Sequence, residues 1–165
     1  MLNDIYNDRI LKFAADIPCS DRLEAPDATA TAVSRLCGSK VTVDLCLDGD
    51  KVAAFGQDVK ACALGQASSS IMGHHILGKS ADELHRVAGE MRRMLKENGP
   101  APEGEWEDLA ILEPVRDYKA RHASTLLIFD AVEEALDKAL AAHNDSSTEG
   151  GTGDPAGTLT ISGAE

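Results

Sequence analysis

Apolar residues recur at two different spacings along this chain, and these spacings predict its elements. From Leu2 to Ala15 they lie three or four positions apart, which predicts an amphipathic helix that ends before Pro18. Small and β-branched residues in ATATAVSRL, residues 28–36, predict a strand. Apolar and polar residues then alternate over 41–48, and after the turn at Asp48-Gly49 the run KVAAFGQDV returns antiparallel. Together these segments predict a three-stranded antiparallel meander.

After Val59 the spacing changes to that of helices. A helix of small residues is predicted over 63–77, and Ser80 with Glu83 forms a capping pattern for a second helix that stops at 98–100. The run GPAPEGEWED predicts a loop leading to LAILEPV, and a last helix is predicted over 121–142. The fold class is therefore α+β, with helices packed on one face of the sheet. Residues 1–142 form the domain, and the acidic Gly/Ser/Thr-rich residues 143–165 are predicted to be a disordered tail.

Composition restricts the classes of partner. The chain has 165 residues, 43% of them hydrophobic, which suits one domain with a packed core. Its 28 acidic and 16 basic residues give a formal net charge of −12, which argues against binding nucleic acid. No apolar run approaches the roughly 20 residues of a membrane span, and the first residues do not have the pattern of a signal peptide. We expect a soluble, cytoplasmic protein that does not bind membranes.

Two of the four cysteines occupy equivalent places in the predicted sheet. Cys37, followed by Gly38, precedes the second strand, and Cys62 follows the third. In a meander these two junctions fall at the same end of the sheet, so the two thiols are predicted to converge. Cys62 also begins a helix, where backbone N–H groups favour the thiolate, the form that binds metals and attacks electrophiles. The small residues that follow it, ALGQASSS, predict a shallow site lined by backbone.

A simpler interpretation of the same residues stays open. A single cysteine is often a small buried hydrophobic residue, and small residues in a helix often only permit close packing. Cys46, on the polar face of its strand, and Cys19, in a loop, are interpreted as incidental. His122, at the start of the last helix, is either a surface residue or a third ligand. Two cysteines and one histidine can bind zinc or contribute to an iron–sulfur site.

The order of these motifs resembles a known family. The chain resembles the U-type iron–sulfur cluster scaffold proteins: IscU, SufU and the N-terminal domain of NifU. The resemblance rests on a CG dipeptide, then a hairpin, then a cysteine followed by an ASSS helix, and finally an R-H-x-[ST]-x-L start of the last helix. The opening LNDIYNDRIL also resembles the first helix of that family. The resemblance covers residues 1–142, and the insertion before the last helix is similar to the SufU branch. It implies a SufE/NifU-like sandwich fold.

The resemblance also implies a ligand set, which is incomplete in this chain. Family members hold a [2Fe-2S] cluster, iron or a zinc ion with three cysteines and an aspartate. Cys37 and Cys62 match the first two cysteines, the third falls on Ala123, and the aspartate falls on Ser39. His122 matches a histidine found beside the third cysteine in IscU-like members. The implied cluster-binding and metal ligands are thus Cys37, Cys62 and His122, completed from outside by a thiol, a water or a cysteine of a second subunit or partner.

Three functions follow from the resemblance. The first is a scaffold or carrier for iron–sulfur cluster assembly, which receives sulfur from a cysteine desulfurase and serves chaperone or apo acceptor partners, with a homodimer as one option for its assembly. The second is a metal-free protein on the same fold that docks on the desulfurase or chaperone and regulates it. The third is a zinc-dependent sulfurtransferase. Catalysis in the ordinary sense is not expected, because GQASSSIMG has neither a phosphate-binding Gly-rich loop nor a G-x-S-x-G nucleophile elbow.

Overall fold

A computed structural model describes residues 7–36 and 38–150, with side chains up to residue 142. The elements, in chain order, are helix α1 (Asp8–Ala15), strands β1 (Ala28–Val33), β2 (Lys40–Asp48) and β3 (Lys51–Lys60), helices α2 (Ala63–His75) and α3 (Ala81–Lys96), two 3-10 segments (Gly104–Asp117 and Lys119–Arg121) and helix α4 (His122–Gly150). No helix within the described part of the chain is long and apolar enough to cross a membrane.

The three strands form the predicted antiparallel sheet in the order β1-β2-β3. Strand β2 packs against α4, and every second residue of β2 is apolar and buried: Val41, Val43, Leu45 and Leu47. Lys40 pairs with Lys60, so the chain enters β2 and leaves β3 at the same end of the sheet. The start of β2 and the end of β3, beside which the sequence places Cys37 and Cys62, therefore lie at one end of the sheet.

The opposite face of the sheet is covered by residues 18–27, which we call the strap. Asp44 on this face is fully buried and accepts hydrogen bonds from Arg22 Nε at 2.5 Å, the Leu23 N–H at 3.1 Å and Thr29 Oγ1 at 2.5 Å. Burial alone would raise the pKa of the Asp44 carboxyl, but the hydrogen bonds from these three partners outweigh burial and hold that pKa below its ordinary value. The carboxylate thus anchors the strap to β2.

The strap is also attached to the edge strand β3 and to α2. The backbone N–H of Gln57 donates to the carbonyl of Cys19 at 2.8 Å, and its side-chain amide donates to the carbonyls of Pro18 at 3.1 Å and Ser69 at 3.0 Å. A side chain at Gly56 would collide with the carbonyl oxygen of Asp21. These contacts place strap backbone against the edge of β3 at Gly56 and Gln57, which protects that part of the edge from pairing with another strand.

Helix α3 follows the sequence prediction closely. Ser80 accepts the N–H of Glu83 at 3.2 Å as the N-cap, and the predicted apolar stripe is buried: Leu84, Val87, Met91, Met94 and Leu95. Asn98 adopts a left-handed conformation with φ of 54°, and Gly99 N–H bonds back to the carbonyl of Arg93 at 2.9 Å. This is the turn predicted to stop the helix.

The predicted loop over 99–108 is wrong from Gly104 onward, because a 3-10 helix spans Gly104–Asp117 and includes LAILEPV, for which no element was predicted. The reason is visible in the spacing, since Trp106, Leu109, Leu112 and Val115 lie three residues apart and are all buried. A 3-10 helix has three residues per turn and aligns such residues on one face. Trp106 also donates its indole N–H to Glu83 at 2.8 Å.

The last helix also differs from its predicted bounds. Helix α4 begins at His122, next to the predicted Arg121, but its backbone remains helical to Gly150 rather than ending at Ala142. The first eight residues of the predicted tail therefore belong to α4, and residues 151–165 lie outside the described part of the chain. Residues 2–6 of the predicted first helix lie outside it as well, and α1 is described from Asp8.

Candidate thiol site at the end of the sheet

Cys62 is the residue immediately before helix α2 and occupies its N-cap position in an extended conformation. Its side chain is half-buried, and the thiol donates to the hydroxyl oxygen of Ser124 at 3.5 Å. Ser124 is 1% exposed and donates its own proton to the carbonyl of Arg121 at 3.2 Å. Cys62 is therefore held between the start of α2 and the first turn of α4, as a partly accessible thiol with one polar neighbour.

The small residues of α2 are explained by close packing rather than by a shallow site. A Cβ atom on Gly65 would lie 3.0 Å from the carbonyl oxygen of Ser124 and 2.7 Å from the Cβ of Ala61, closer than normal van der Waals contact. The small residues that follow are completely buried: Ala67, Ser68, Ser69 and Ser70. The prediction of a shallow, backbone-lined site is wrong, because the small residues are buried, with the α4 backbone against Gly65 and the end of α1 against Ser70.

The three consecutive serines of α2 are not equivalent. Ser68 donates to the carbonyl of Gly65 at 3.2 Å, and Ser70 donates to the carbonyl of Asp16 at 3.0 Å, which ties α2 to the end of α1. The Ser69 hydroxyl and the Gln57 side-chain oxygen are buried and make no hydrogen bond within the described residues. The run therefore serves helix packing and tethering.

Cys37 lies outside the described residues, and its predicted convergence with Cys62 stays a prediction. The loop that contains it is closed by two backbone hydrogen bonds, from Ser34 to the carbonyl of Ser39 and from Gly38 to the carbonyl of Ser34, both 2.8 Å. Gly38 has a φ of 77°, which requires glycine for an unstrained backbone. The register of β2 and β3 places this loop and the start of α2 at one end of the sheet.

His122 is buried, with 7% of its surface exposed, rather than lying on the surface. Its Nε2 atom lies 3.1 Å from the carbonyl oxygens of both Val115 and Arg116, at the end of the long 3-10 segment. Carbonyls only accept hydrogen bonds, so Nε2 carries the proton and Nδ1 is the ring nitrogen with a lone pair for a metal. Within the described residues, no three histidine, cysteine or acidic side chains are grouped to hold a metal ion.

The two positions where the resemblance expects further ligands differ in exposure. Ser39 is 4% exposed, and its carbonyl closes the loop that precedes β2. Ala123 is exposed at the start of α4, one residue before the partner of Cys62. Position 123 is thus reachable by an external group, whereas position 39 is not.

The remaining cysteines lie elsewhere, as predicted. The Cys46 thiol lies 3.5 Å from the carbonyl of Ala25, and the Cys19 thiol lies 3.9 Å from the carbonyl of Gly73. Burial raises the pKa of the Cys19 thiol, which disfavours its thiolate. Cys19 lies in the strap and contacts the α2 residue Gly73, and Cys46 contacts the strap at Ala25.

Sequence reasoning did not assign a role to two residues of the site. Ser124 is the polar neighbour of Cys62, and Gly65 allows α4 to come close enough for that contact. A signal for Ser124 was present, since it is the [ST] position of the late R-H-x-[ST]-x-L pattern.

The protein is a small α+β domain with a cysteine at one end of its sheet. Helices pack on one face of a three-stranded antiparallel sheet, and a half-buried thiol lies where the last strand leads into a helix. Residues 5–125 match the family described as the NifU-like N terminal domain, and the chain belongs to this family.

Relatives and solved structures agree with this assignment. The chain is 23% identical over 134 residues to the iron–sulfur cluster assembly scaffold protein IscU of Thermotoga maritima, covering 81% of this chain and 94% of that one. It is 24% identical over 108 residues to the protein of the same name from Streptococcus pyogenes, covering 66% and 68%. Both relatives are named as scaffold proteins.

Two crystal structures are similar in fold. A nitrogen-fixing NifU-like protein (N-terminal) from Brucella abortus is 55% identical with a TM-score of 0.83, covering 85% of this chain and 97% of that one. A SUF-system scaffold protein from Fervidobacterium islandicum is 24% identical with a TM-score of 0.75, covering 81% and 98%, and supports the fold alone.

Proposed function

We propose that this protein is a scaffold or carrier for iron–sulfur cluster assembly, with the cluster or its iron as cargo at the end of the sheet. Membership of the NifU-like N terminal domain family and two relatives named as scaffold proteins support this function. The observation that carries the proposal is the half-buried Cys62 thiol at the junction of β3 and α2, the end of the sheet where the Cys37 loop also lies.

The ligands would be Cys37, Cys62 and His122, the last through its Nδ1 atom. This set differs from a closed site in two respects, because Ala123 has no metal-binding atom and Ser39 is buried in its loop. An open position suits cargo that must be released, since a closed four-ligand site holds metal more tightly. The cargo is a [2Fe-2S] cluster or iron, held transiently, and zinc is the alternative metal.

Sulfur would reach the site by exchange at a thiol. A thiolate of Cys37 or Cys62 attacks the outer sulfur of a persulfide on a cysteine desulfurase, the bond between the two donor sulfurs breaks, and the donor cysteine leaves as a thiolate. The chain gains a persulfide with no net oxidation or reduction. The partners are therefore a cysteine desulfurase, then a chaperone or an apo acceptor protein, with a homodimer as one way to complete the ligands.

Anaerobic reconstitution tests this function directly. The protein is incubated with ferrous iron and sulfide, desalted, and examined by visible absorption and by iron and acid-labile sulfide analysis. We expect cluster absorption bands in the wild type and in a Cys19→Ala, Cys46→Ala control, and loss of the bands in Cys37→Ala, Cys62→Ala. Absence of bands in the wild type, or bands that survive in the last variant, would contradict the proposal.

A second function is favoured by one specific observation. The buried His122 ring donates through Nε2 to two carbonyls, which is a structural role that needs no metal. A protein without cargo would instead dock on the desulfurase or chaperone and regulate it. Two results together would favour this function: the Cys37→Ala, Cys62→Ala double variant still retains the desulfurase in a pull-down, and the wild type forms no cluster. Zinc near one atom per chain by elemental analysis would favour a sulfurtransferase.

A further inference from the structure

A cleft of about 890 Å³ lies beside the proposed cargo site, between the end of α3 and the start of α4. Its lining includes three cations, Lys96, Arg116 and Lys119, and one carboxylate, Asp117. This is a local excess of positive charge in a chain whose formal net charge is −12. Like charges brought together repel each other, and a bound anion relieves that repulsion.

The cations of the cleft are incompletely paired within the chain. Arg116 donates from Nη2 to the carbonyl of Gly99 at 3.1 Å and lies 3.4 Å from Glu113, but its buried Nε makes no hydrogen bond within the described residues. The ammonium groups of Lys96 and Lys119 have no ion pair within the part of the chain that the structure describes. The cleft thus presents three cationic groups with hydrogen-bonding capacity to spare.

The same cleft reaches the position where a cluster ligand is missing. Ala123 and His122 form part of its wall, and Ala123 is exposed. The next residue, Ser124, has its hydroxyl 3.5 Å from the Cys62 sulfur. Since adjacent Cα atoms are about 3.8 Å apart, the wall of the cleft at Ala123 lies one residue from the contact that holds the thiol.

We propose that this cleft binds a low-molecular-weight thiol that carries two carboxylates, with the carboxylates on the lysine and arginine side chains and the sulfur near Ala123. The sulfur supplies the ligand that the methyl group of Ala123 lacks. Pockets for small molecules span roughly 300–1,000 Å³, a range that includes this cleft. Binding of the carboxylates stands independently, and only the ligand role of the sulfur rests on the proposed function.

The first experiment uses metal-free protein and calorimetric titration with glutathione and with S-methylglutathione, which keeps both carboxylates but has no thiol. We expect both to bind the wild type with similar affinity, and 2-mercaptoethanol not to bind. In Lys96→Gln, Lys119→Gln both tripeptides should bind about tenfold more weakly, the loss expected for two exposed charge contacts. A matched control, Lys51→Gln, Lys138→Gln, removes the same charge elsewhere and should bind as the wild type does.

Absence of tripeptide binding, or equal weakening in both double variants, would overturn the cleft assignment. The second experiment measures the lifetime of the reconstituted cluster with each tripeptide. We expect a longer lifetime with glutathione than with S-methylglutathione, and in Lys96→Gln, Lys119→Gln the same difference only at about tenfold higher tripeptide concentration. Equal lifetimes in the wild type would overturn the ligand role of the sulfur. If no cluster forms while both tripeptides still bind, the proposed function fails and the cleft remains a carboxylate-binding site.

Discussion

Replacement of Asp44 by Asn tests how the strap is held on the sheet. The carboxylate is completely buried and accepts hydrogen bonds from Arg22, the Leu23 N–H and Thr29. A hydrogen bond to a charged group contributes about 1.5–3 kcal/mol. Asn keeps one acceptor oxygen but places an NH₂ group against the donors that now bond to the second carboxylate oxygen. The contact with Arg22 contributes less than a buried one, because the exposed end of Arg22 is screened by solvent. We therefore expect a loss of about 2–3 kcal/mol in the free energy of unfolding.

The dependence on pH separates this charge effect from a loss of shape. The folded-state pKa of Asp44 is lower than that of the unfolded chain, so its contribution is complete above the unfolded value, about 4, and is lost as pH falls through the folded value. The difference between wild type and Asp44→Asn should therefore be largest near pH 7. It should shrink progressively as the buffer is acidified below about pH 4.

Urea unfolding followed by circular dichroism at a series of pH values measures this difference. Asp48→Asn is a suitable control, because Asp48 is exposed at the end of the same strand. It should change the free energy of unfolding by less than about 0.5 kcal/mol. A change of that size for Asp44→Asn at pH 7, or a difference that stays constant down to pH 2, would refute the anchoring role of the carboxylate.

Three further predictions concern α2, α3 and the thiol. Gly65→Ala should lower the Tm measured by thermal unfolding. Overpacking against Ser124 costs about 1–3 kcal/mol, whereas the higher helix propensity of alanine gains about 1 kcal/mol. An increase in Tm would contradict the close approach of α2 and α4. Ser124→Ala should slow alkylation of Cys62 by iodoacetamide about threefold to tenfold, because the Ser124 hydroxyl, which accepts from the thiol and donates to the Arg121 carbonyl, can turn to donate to the thiolate, and alanine cannot; an unchanged rate would contradict that contact. Ser80→Ala should cost about 1 kcal/mol in urea unfolding by leaving the Glu83 N–H without its cap; no cost would contradict that cap.

The sheet and α3 could be predicted because their patterns are local. Alternation in β2 and the turn at Asp48-Gly49 specify a hairpin, and Ser80 with the stop at Asn98 specifies the ends of α3. The 3-10 helix was missed because the Pro-, Gly- and Glu-rich run GPAPEGEWED predicted a loop over its first residues. Its apolar residues recur every three positions, a spacing that predicts neither an α-helix nor a strand.

The candidate site could be predicted only in part. Cys62 at a helix start follows from the sequence, but the contact with Ser124 joins residues 62 positions apart and depends on how α4 packs. The burial of His122 likewise depends on the end of the 3-10 segment, whose carbonyls it binds. Tertiary packing therefore determines which polar atoms lie near the Cys62 thiol, and local sequence patterns do not predict it.

The packing at Gly65 also limits how a cargo site here can be completed. Ser124 supplies both the carbonyl that approaches Gly65 and the hydroxyl beside Cys62, so two contacts of this residue help to hold the start of α4 against α2. Moving α4 to bring another of its own side chains to the thiol would break both contacts. Ala123, by contrast, is exposed beside a cationic cleft. An external ligand can approach that position without any movement of α4, which makes completion from outside the less costly route.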